Sequence, residues 1–155
     1  MPVEKLKRFL DEHGVKFTAI KHSRACTAQE IAEMAHIPGK ELAKTVMVNI
    51  SGELAMAIIP ASHLVDFKCL TSIAGAEATL ADEGDFVELF PNCDVGAMPP
   101  FGNLYNLEVY VAEALSEDEH IAFSAGSHAE IIRLRYKDFE RLVNPVLGRF
   151  SYRYP

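Results

Sequence analysis

Three short stretches of this 155-residue sequence carry groups able to hold an anion or a carbonyl. The first is LAKTVMVNI, residues 42–50, which reads as a strand. Side chains alternate along a strand, so Leu42, Lys44, Val46, Val48 and Ile50 share one face, and Ala43, Thr45, Met47 and Asn49 share the other. The first face is apolar except for Lys44. A lysine there snorkels to water, finds a partner or opens into a pocket, because a dry, unpaired ammonium is costly. Near the strand's start, snorkelling and a pocket floor are both open readings; as a floor, Lys44 presents its ammonium to an anion or carbonyl.

The second stretch is DVGAMPPFG, residues 94–102. Gly96 admits torsions closed to other residues, while Pro99 and Pro100 fix φ and remove two amide donors. This is a rigid loop, suited to the wall of a site. The third is FSAGSHAE, in which Gly126 breaks a strand and His128 follows on a turn. His128 reads either as an exposed turn residue or as an imidazole that exchanges hydrogen bonds with a ligand.

Other reactive residues carry less. His13, His22, His36, His63 and His120 show no metal-ligand spacing, and Cys26, Cys69 and Cys93 suit neither a disulfide framework nor a zinc site. Cys26 reads as a small buried residue near a helix start, or else as a nucleophile. Met47 and Met56 read as core. Neither G-x-G-x-x-G nor G-x-x-x-x-G-K-[ST] occurs, so dinucleotide and P-loop binding have no support.

The elements that must position these groups follow from periodicity. Leu6, Phe9 and Leu10 form a helix stripe that Gly14 ends, and VKFTAIKH alternates as a strand. Thr27 with Glu30 three residues later is a capping box, so a helix starts there. Ser51-Gly52 turns the lysine strand into ELAMAIIP, a hairpin. Residues 62–75 read as a helix ended by Gly75, and DEGDFVELF as another short helix. Strands follow at LEVYV, HIAFSAG and AEIIRLRY, with a helix at KDFERLV. The order implies an α+β fold with a largely antiparallel or mixed sheet in a single domain, residues 1–155.

Composition, 49% hydrophobic and 24% charged, is that of a soluble globule, with no run long enough for a membrane span. The net charge of −7 argues against broad nucleic-acid binding. The charge is segregated: residues 69–132 hold twelve acidic residues and no Lys or Arg, whereas residues 131–155 hold six basic and two acidic. A small polyanion fits a basic edge; a long duplex does not. Three scattered cysteines and a start that reads as a charged helix rather than a signal peptide point to the cytoplasm.

LAKTVMV, GAMPPFG and AGSH, in that order and at these separations, resemble the YbaK-type aminoacyl-tRNA editing domain. That family includes the editing insertion of bacterial prolyl-tRNA synthetase and its freestanding homologues. The resemblance runs from about residue 15 to 143 and takes in TAQEIAEMAHIP as the helix before the lysine strand. It implies a mixed α/β fold with a curved, barrel-like sheet surrounded by helices, and hydrolysis of the ester joining a wrong amino acid to the tRNA 3′ end, without metal or cofactor.

The family's strand lysine falls on Lys44, with Thr45 beside it, and its G-x-x-x-P loop on Gly96, Ala97, Met98, Pro99 and Pro100. The glycine turn, with a histidine in some branches, falls on Gly126, Ser127 and His128. The resemblance makes Lys44 and His128 catalytic and the others substrate-binding. Lys44 anchors the terminal phosphate or ester oxygen, and the amides of Gly96 and Ala97 face the substrate carbonyl. His128 orients a water or meets the amino group, and Met98 sets the pocket's depth or packs. The implied partners are the aminoacyl-tRNA acceptor end, contacted by basic residues at 133, 135, 137 and 141 or near the N-terminus, and an aminoacyl-tRNA synthetase; DNA and membranes are not expected. A second reading is a non-catalytic module of the same fold that binds a tRNA end, an amino acid or a synthetase. A third, a hydrolase using Cys26, predicts inactivation by thiol alkylation.

Overall fold

A computed structural model describes residues 2–22, 30, 33, 36–91, 93–94 and 96–153. The first helix, α1 (Pro2–Glu12), turns Leu6 and Leu10, one turn apart, wholly into the core, and Gly14 at φ 66° ends it. Strand β1 (Phe17–Lys21) follows. The Thr27 capping box lies outside the described residues; Glu30 and Glu33 beyond it are helical.

The lysine strand is β2 (Ala43–Ile50), and it forms the expected hairpin with β3 (Glu53–Pro60), in register from Ala43 opposite Pro60 to Ile50 opposite Glu53. Ser51 and Gly52 turn the hairpin at φ 50° and 87°, the two left-handed positions a tight hairpin turn requires. The hairpin is the centre of a five-stranded sheet, order β5-β2-β3-β6-β9, completed by β5 (Ala78–Leu80), β6 (Glu108–Ala112) and β9 (Val146–Gly148). β6 runs parallel to both β3 and β9, so the sheet is mixed.

Both faces of this sheet are buried, because β2 and β3 lie inside it with a core on each side. Ala43, Met47, Met56 and Ile58 pack into the larger core with Phe101 and Phe123. Val48, Ala57 and Ile59 pack on the other side with Leu70, Tyr110 and Phe150, and Val46 rests against them. The alternation read from the sequence is therefore present, with apolar packing on both of its faces.

A second sheet, order β1-β8-β7, contains β7 (His120–Ser124) and β8 (Glu130–Arg135), antiparallel throughout. A single parallel bridge, Leu42 to Ala122, joins it to the edge of β2. Farther along β2, Val48 to Ile50 pair with β5 instead. A third, two-stranded ribbon pairs β4 (His63–Val65) with β10 (Ser151–Arg153). The fold is the expected mixed α/β type; among the described residues its strands form three sheets rather than a closed barrel.

Residues 62–75 are not one helix. His63–Val65 pair with the C-terminal strand as β4, and α2 (Phe67–Ala74) starts only where the Asp66 carboxylate accepts from the amides of Lys68 and Cys69. Gly75 at φ 72° ends that helix as read. Three more α-helices follow: α3 (Glu83–Phe86), α4 (Glu113–Ser116) and α5 (Tyr136–Val143). Phe101, fully buried directly after Pro99-Pro100, meets the rings of Phe9, Phe123 and Phe139 at centroid distances of 6.1, 5.7 and 5.4 Å. The rigid loop is thus anchored at its C-terminal end by an aromatic cluster.

Candidate active site

The proline loop and the histidine turn form one hydrogen-bonded unit. The Gly126 amide donates to the Ala97 carbonyl at 2.8 Å, and the Asp94 amide donates to the Gly126 carbonyl at 2.9 Å. The Asp94 carboxylate accepts from the His128 amide at 2.9 Å, and Ser127 Oγ accepts from the Ala129 amide at 2.9 Å. Gly96 (φ 84°) and Gly126 (φ 97°) supply the left-handed positions that fold the two segments together. A β-carbon on Gly96 would lie 3.6 Å from His128 Cε1 and 3.8 Å from its Nε2. Two stretches some thirty residues apart in sequence therefore meet, and the Gly96 backbone faces the His128 imidazole.

Within the loop the residues divide. Ala97, Met98, Pro99 and Pro100 are buried, Met98 as part of the core, so Met98 packs. Gly96 is exposed. The Ala97 amide donates to the Asp94 carbonyl at 3.0 Å, which removes it as a donor to a substrate carbonyl. Among the described residues none accepts from the Gly96 amide. Of the two amides read from the sequence, only that of Gly96 has no acceptor among the described residues.

Lys44 lies on β2 two residues beyond the Leu42–Ala122 bridge, on the same face as Leu42. Because that bridge is parallel, β2 and β7 run the same way from it. β2 carries Lys44, and β7 runs on through Ser124 to Ala125 and the Gly126 turn. Thr45, 9% exposed, points to the opposite face with Ala43 and Met47. Partial burial holds the Lys44 amine below the usual lysine range. The same is true of His63, whose imidazole is held low by burial first, then by the charges of Arg153 and Lys44. His63 and Arg153 line a cleft of about 950 Å³ together with Lys40, Leu42 and Pro60 and the carboxylates of Glu33, Glu117 and Asp118; Lys44 lies near enough to act on His63 but does not line it. The loop residues 96–100 do not line this cleft. His63 and Arg153 were missed in the sequence because short strands near the C-terminus leave little periodic signal, and only their pairing brings the two together.

The basic residues expected to meet RNA are partly engaged elsewhere. Arg133 holds the buried Glu41 carboxylate through Nε at 3.0 Å and its terminal nitrogen at 2.9 Å, and Arg141 pairs with Asp138. Cys26 lies outside the described residues. Cys93 is half-buried, and burial, then Asp94, pushes its thiol up to about 11. Cys69 is raised by its hydrogen bond to Asp66. Neither is a ready thiolate. Among the described residues no group of three or more His, Cys, Asp or Glu is placed to hold a metal ion, and no helix is long and apolar enough to cross a membrane.

The aminoacyl-tRNA editing domain family matches residues 22–142, and the chain belongs to that family. Among curated proteins it is similar to the multifunctional Ser/Thr-tRNA deacylase ProXp-y of Escherichia coli K12, 28% identical over 153 residues, covering 95% of this chain and 91% of that protein. Its fold is similar to that of a candidate trans-editing enzyme for prolyl tRNA synthetase, with TM-score 0.84, 16% identity and 97% coverage of each chain. It also matches hypothetical protein APE2540, with TM-score 0.83, 20% identity and coverage of 96% and 99%.

Proposed function

We propose that this protein is an aminoacyl-tRNA deacylase acting in trans, which hydrolyses the ester of a mischarged tRNA. The observation that carries this reading is the stitched unit of Gly96, Ala97 and Gly126–His128 at the end of β7, where β7 parts from the strand bearing Lys44. The full-length similarity to a Ser/Thr-tRNA deacylase supports activity outside a synthetase. The cytoplasm, where tRNAs are charged, is the compartment this work requires.

An aminoacyl ester is already activated, so positioning and charge stabilisation supply most of what hydrolysis needs. Water attacks the carbonyl carbon and negative charge builds on the carbonyl oxygen. The Gly96 amide donates to that oxygen. Lys44 adds a fixed positive charge near the ester or its neighbouring phosphate. His128, facing Gly96, orients the water or meets the substrate's amino group. The C–O bond to the ribose then breaks, and its oxygen leaves as the hydroxyl after taking a proton from the attacking water. The neighbouring ribose hydroxyl assists that transfer. The loop's prolines are buried and Phe101 packs in the core at its end; a stiff wall suits a site that sieves by size, where one methylene is worth only ~1–3 kcal/mol.

The test is deacylation of tRNAs carrying Ala, Ser, Thr or Cys on several tRNA species, comparing wild type with Lys44→Ala. Turnover of at least one pair, lost in the variant, is expected. No turnover by wild type, or equal turnover by the variant, refutes the reading and favours a binding module.

A further inference from the structure

Asp94 stands two residues before Gly96, at the first position of the turn that the Ala97 amide closes onto the Asp94 carbonyl at 3.0 Å. An aspartate at such a position commonly bends its carboxylate onto the amide two residues on, which here belongs to Gly96. Asp94 Oδ2 instead accepts from the His128 amide at 2.9 Å, across 34 residues of sequence. The Gly96 amide is thereby left without an acceptor among the described residues. One choice of carboxylate direction has two effects: it leaves a donor available in the loop, and it binds the loop to the residue that faces that donor.

We propose that Asp94 is a positioning residue for deacylation, its carboxylate setting the gap between the Gly96 amide and the His128 imidazole in which the aminoacyl carbonyl is held; this rests on the deacylase reading. The turn between β7 and β8 is closed at its base by the Ala125 amide, which donates to the Glu130 carbonyl at 3.1 Å. Its first residue, Gly126, is buried and bonded to the loop through both its amide and its carbonyl. Those bonds fix the root of the turn. His128 sits farther out and is exposed, and the Asp94 carboxylate reaches its backbone there. A bond from an amide to a carboxylate is stronger than one between neutral groups, which suits a tie to an exposed tip. The imidazole so held lies 3.6–3.8 Å from where a β-carbon on Gly96 would stand. Losing the tie lets the tip swing, and a misplacement of about 1 Å can cost about a hundredfold in rate.

The experiment compares wild type with Asp94→Ala, Asp94→Asn and the control Asp66→Ala. Asp66 makes the same kind of bond, accepting from the amides of Lys68 and Cys69 at 3.1 and 3.2 Å, but at the start of α2 and away from the loop and the turn. Two quantities are read: kcat and KM on a mischarged tRNA, and hydrogen exchange of the His128 amide in the protein without ligand. Asp94→Ala is expected to lower kcat by about ten- to a hundredfold, with KM within about twofold of wild type. Its His128 amide should exchange at least about tenfold faster, having lost its acceptor. Asp94→Asn, whose side-chain oxygen still accepts from that amide, should keep kcat within about threefold and the amide slow. Asp66→Ala is expected to lower Tm and leave kcat, KM and the His128 amide unchanged.

Equal loss in Asp94→Asn and Asp94→Ala overturns the assignment. If that shared loss is a rise in KM, the carboxylate's charge meets the substrate's ammonium and Asp94 is a binding residue. A matching fall of kcat in Asp66→Ala also overturns it, since general loosening then explains the effect. Because hydrogen exchange needs no substrate, the expected exchange pattern in a protein without turnover sinks the deacylase reading alone. Wild-type turnover that Asp94→Ala leaves unchanged sinks this inference alone.

Discussion

Gly96 and Gly52 hold nearly the same torsion, φ 84° and 87°, in very different surroundings. Alanine at either position carries left-handed strain of about 1–2 kcal/mol. For a domain of this length that lowers Tm by roughly 2–8 °C. At Gly52, in the turn between β2 and β3, the new methyl meets nothing within 4 Å. At Gly96 it lies 3.6 Å from His128 Cε1, an ordinary contact that adds no clash but fills the space between the loop backbone and the imidazole. The two variants should therefore lose similar stability and differ in function. Thermal melts paired with deacylation assays read both quantities. Gly52→Ala is expected to keep the wild-type kcat/KM, and Gly96→Ala to lose at least tenfold, about 1.4 kcal/mol of transition-state binding. Equal activity in the two variants refutes the placement of the substrate against Gly96. A Tm loss for Gly96→Ala far beyond that of Gly52→Ala refutes the claim that its methyl fits without disturbance.

Three further outcomes follow from the packing. Phe101→Ala removes the ring that anchors the proline loop and should destabilise by about 3–5 kcal/mol; urea titration checks this, and Phe101→Leu should recover much of the loss. Glu41→Ala strands Arg133 beside a carboxylate site that is 6% exposed. Because Arg133 is itself partly solvated, the loss in urea titration should fall toward the lower end of roughly 3–5 kcal/mol. The Cys93 thiol, raised by burial and Asp94 to about 11 from 9.0, is kept neutral by folding. Its contribution is fully present below pH 9 and lost as pH rises toward 11, so Tm should fall more steeply over that range in wild type than in Cys93→Ala.

Much of this architecture is legible in the sequence wherever a pattern is long. Eight alternating residues mark β2, Ser51-Gly52 marks its turn, and the Leu6–Leu10 spacing marks α1. The segment at 62–75 misleads because His63–Val65 take their pairing from Ser151–Arg153, nearly ninety residues away, which no local window contains. β5, β9 and β10, each three residues long, fail for the same reason. At the candidate site, the sequence puts Gly96 and His128 on separate segments, and Asp94 is what joins them; nothing in its neighbours marks that carboxylate as a tie. The expected pair of loop amides becomes one because Ala97 closes a turn onto Asp94, a backbone detail that residue types do not encode. Lys44 was visible as an odd residue on an apolar face, whereas His63 and Arg153 gain meaning only from the ribbon that brings them beside it.

The central claim is that Lys44 and the Gly96 loop grip the same aminoacyl end. An isotope-labelled sample titrated with a 3′-aminoacylamino-adenosine bearing a 5′ phosphodiester, its scissile ester replaced by an amide, tests this directly by NMR. The backbone amide of Gly96 and the side-chain ammonium of Lys44 should shift along one saturation curve. A ligand that moves one of these signals to saturation while the other stays at its free position contradicts the account.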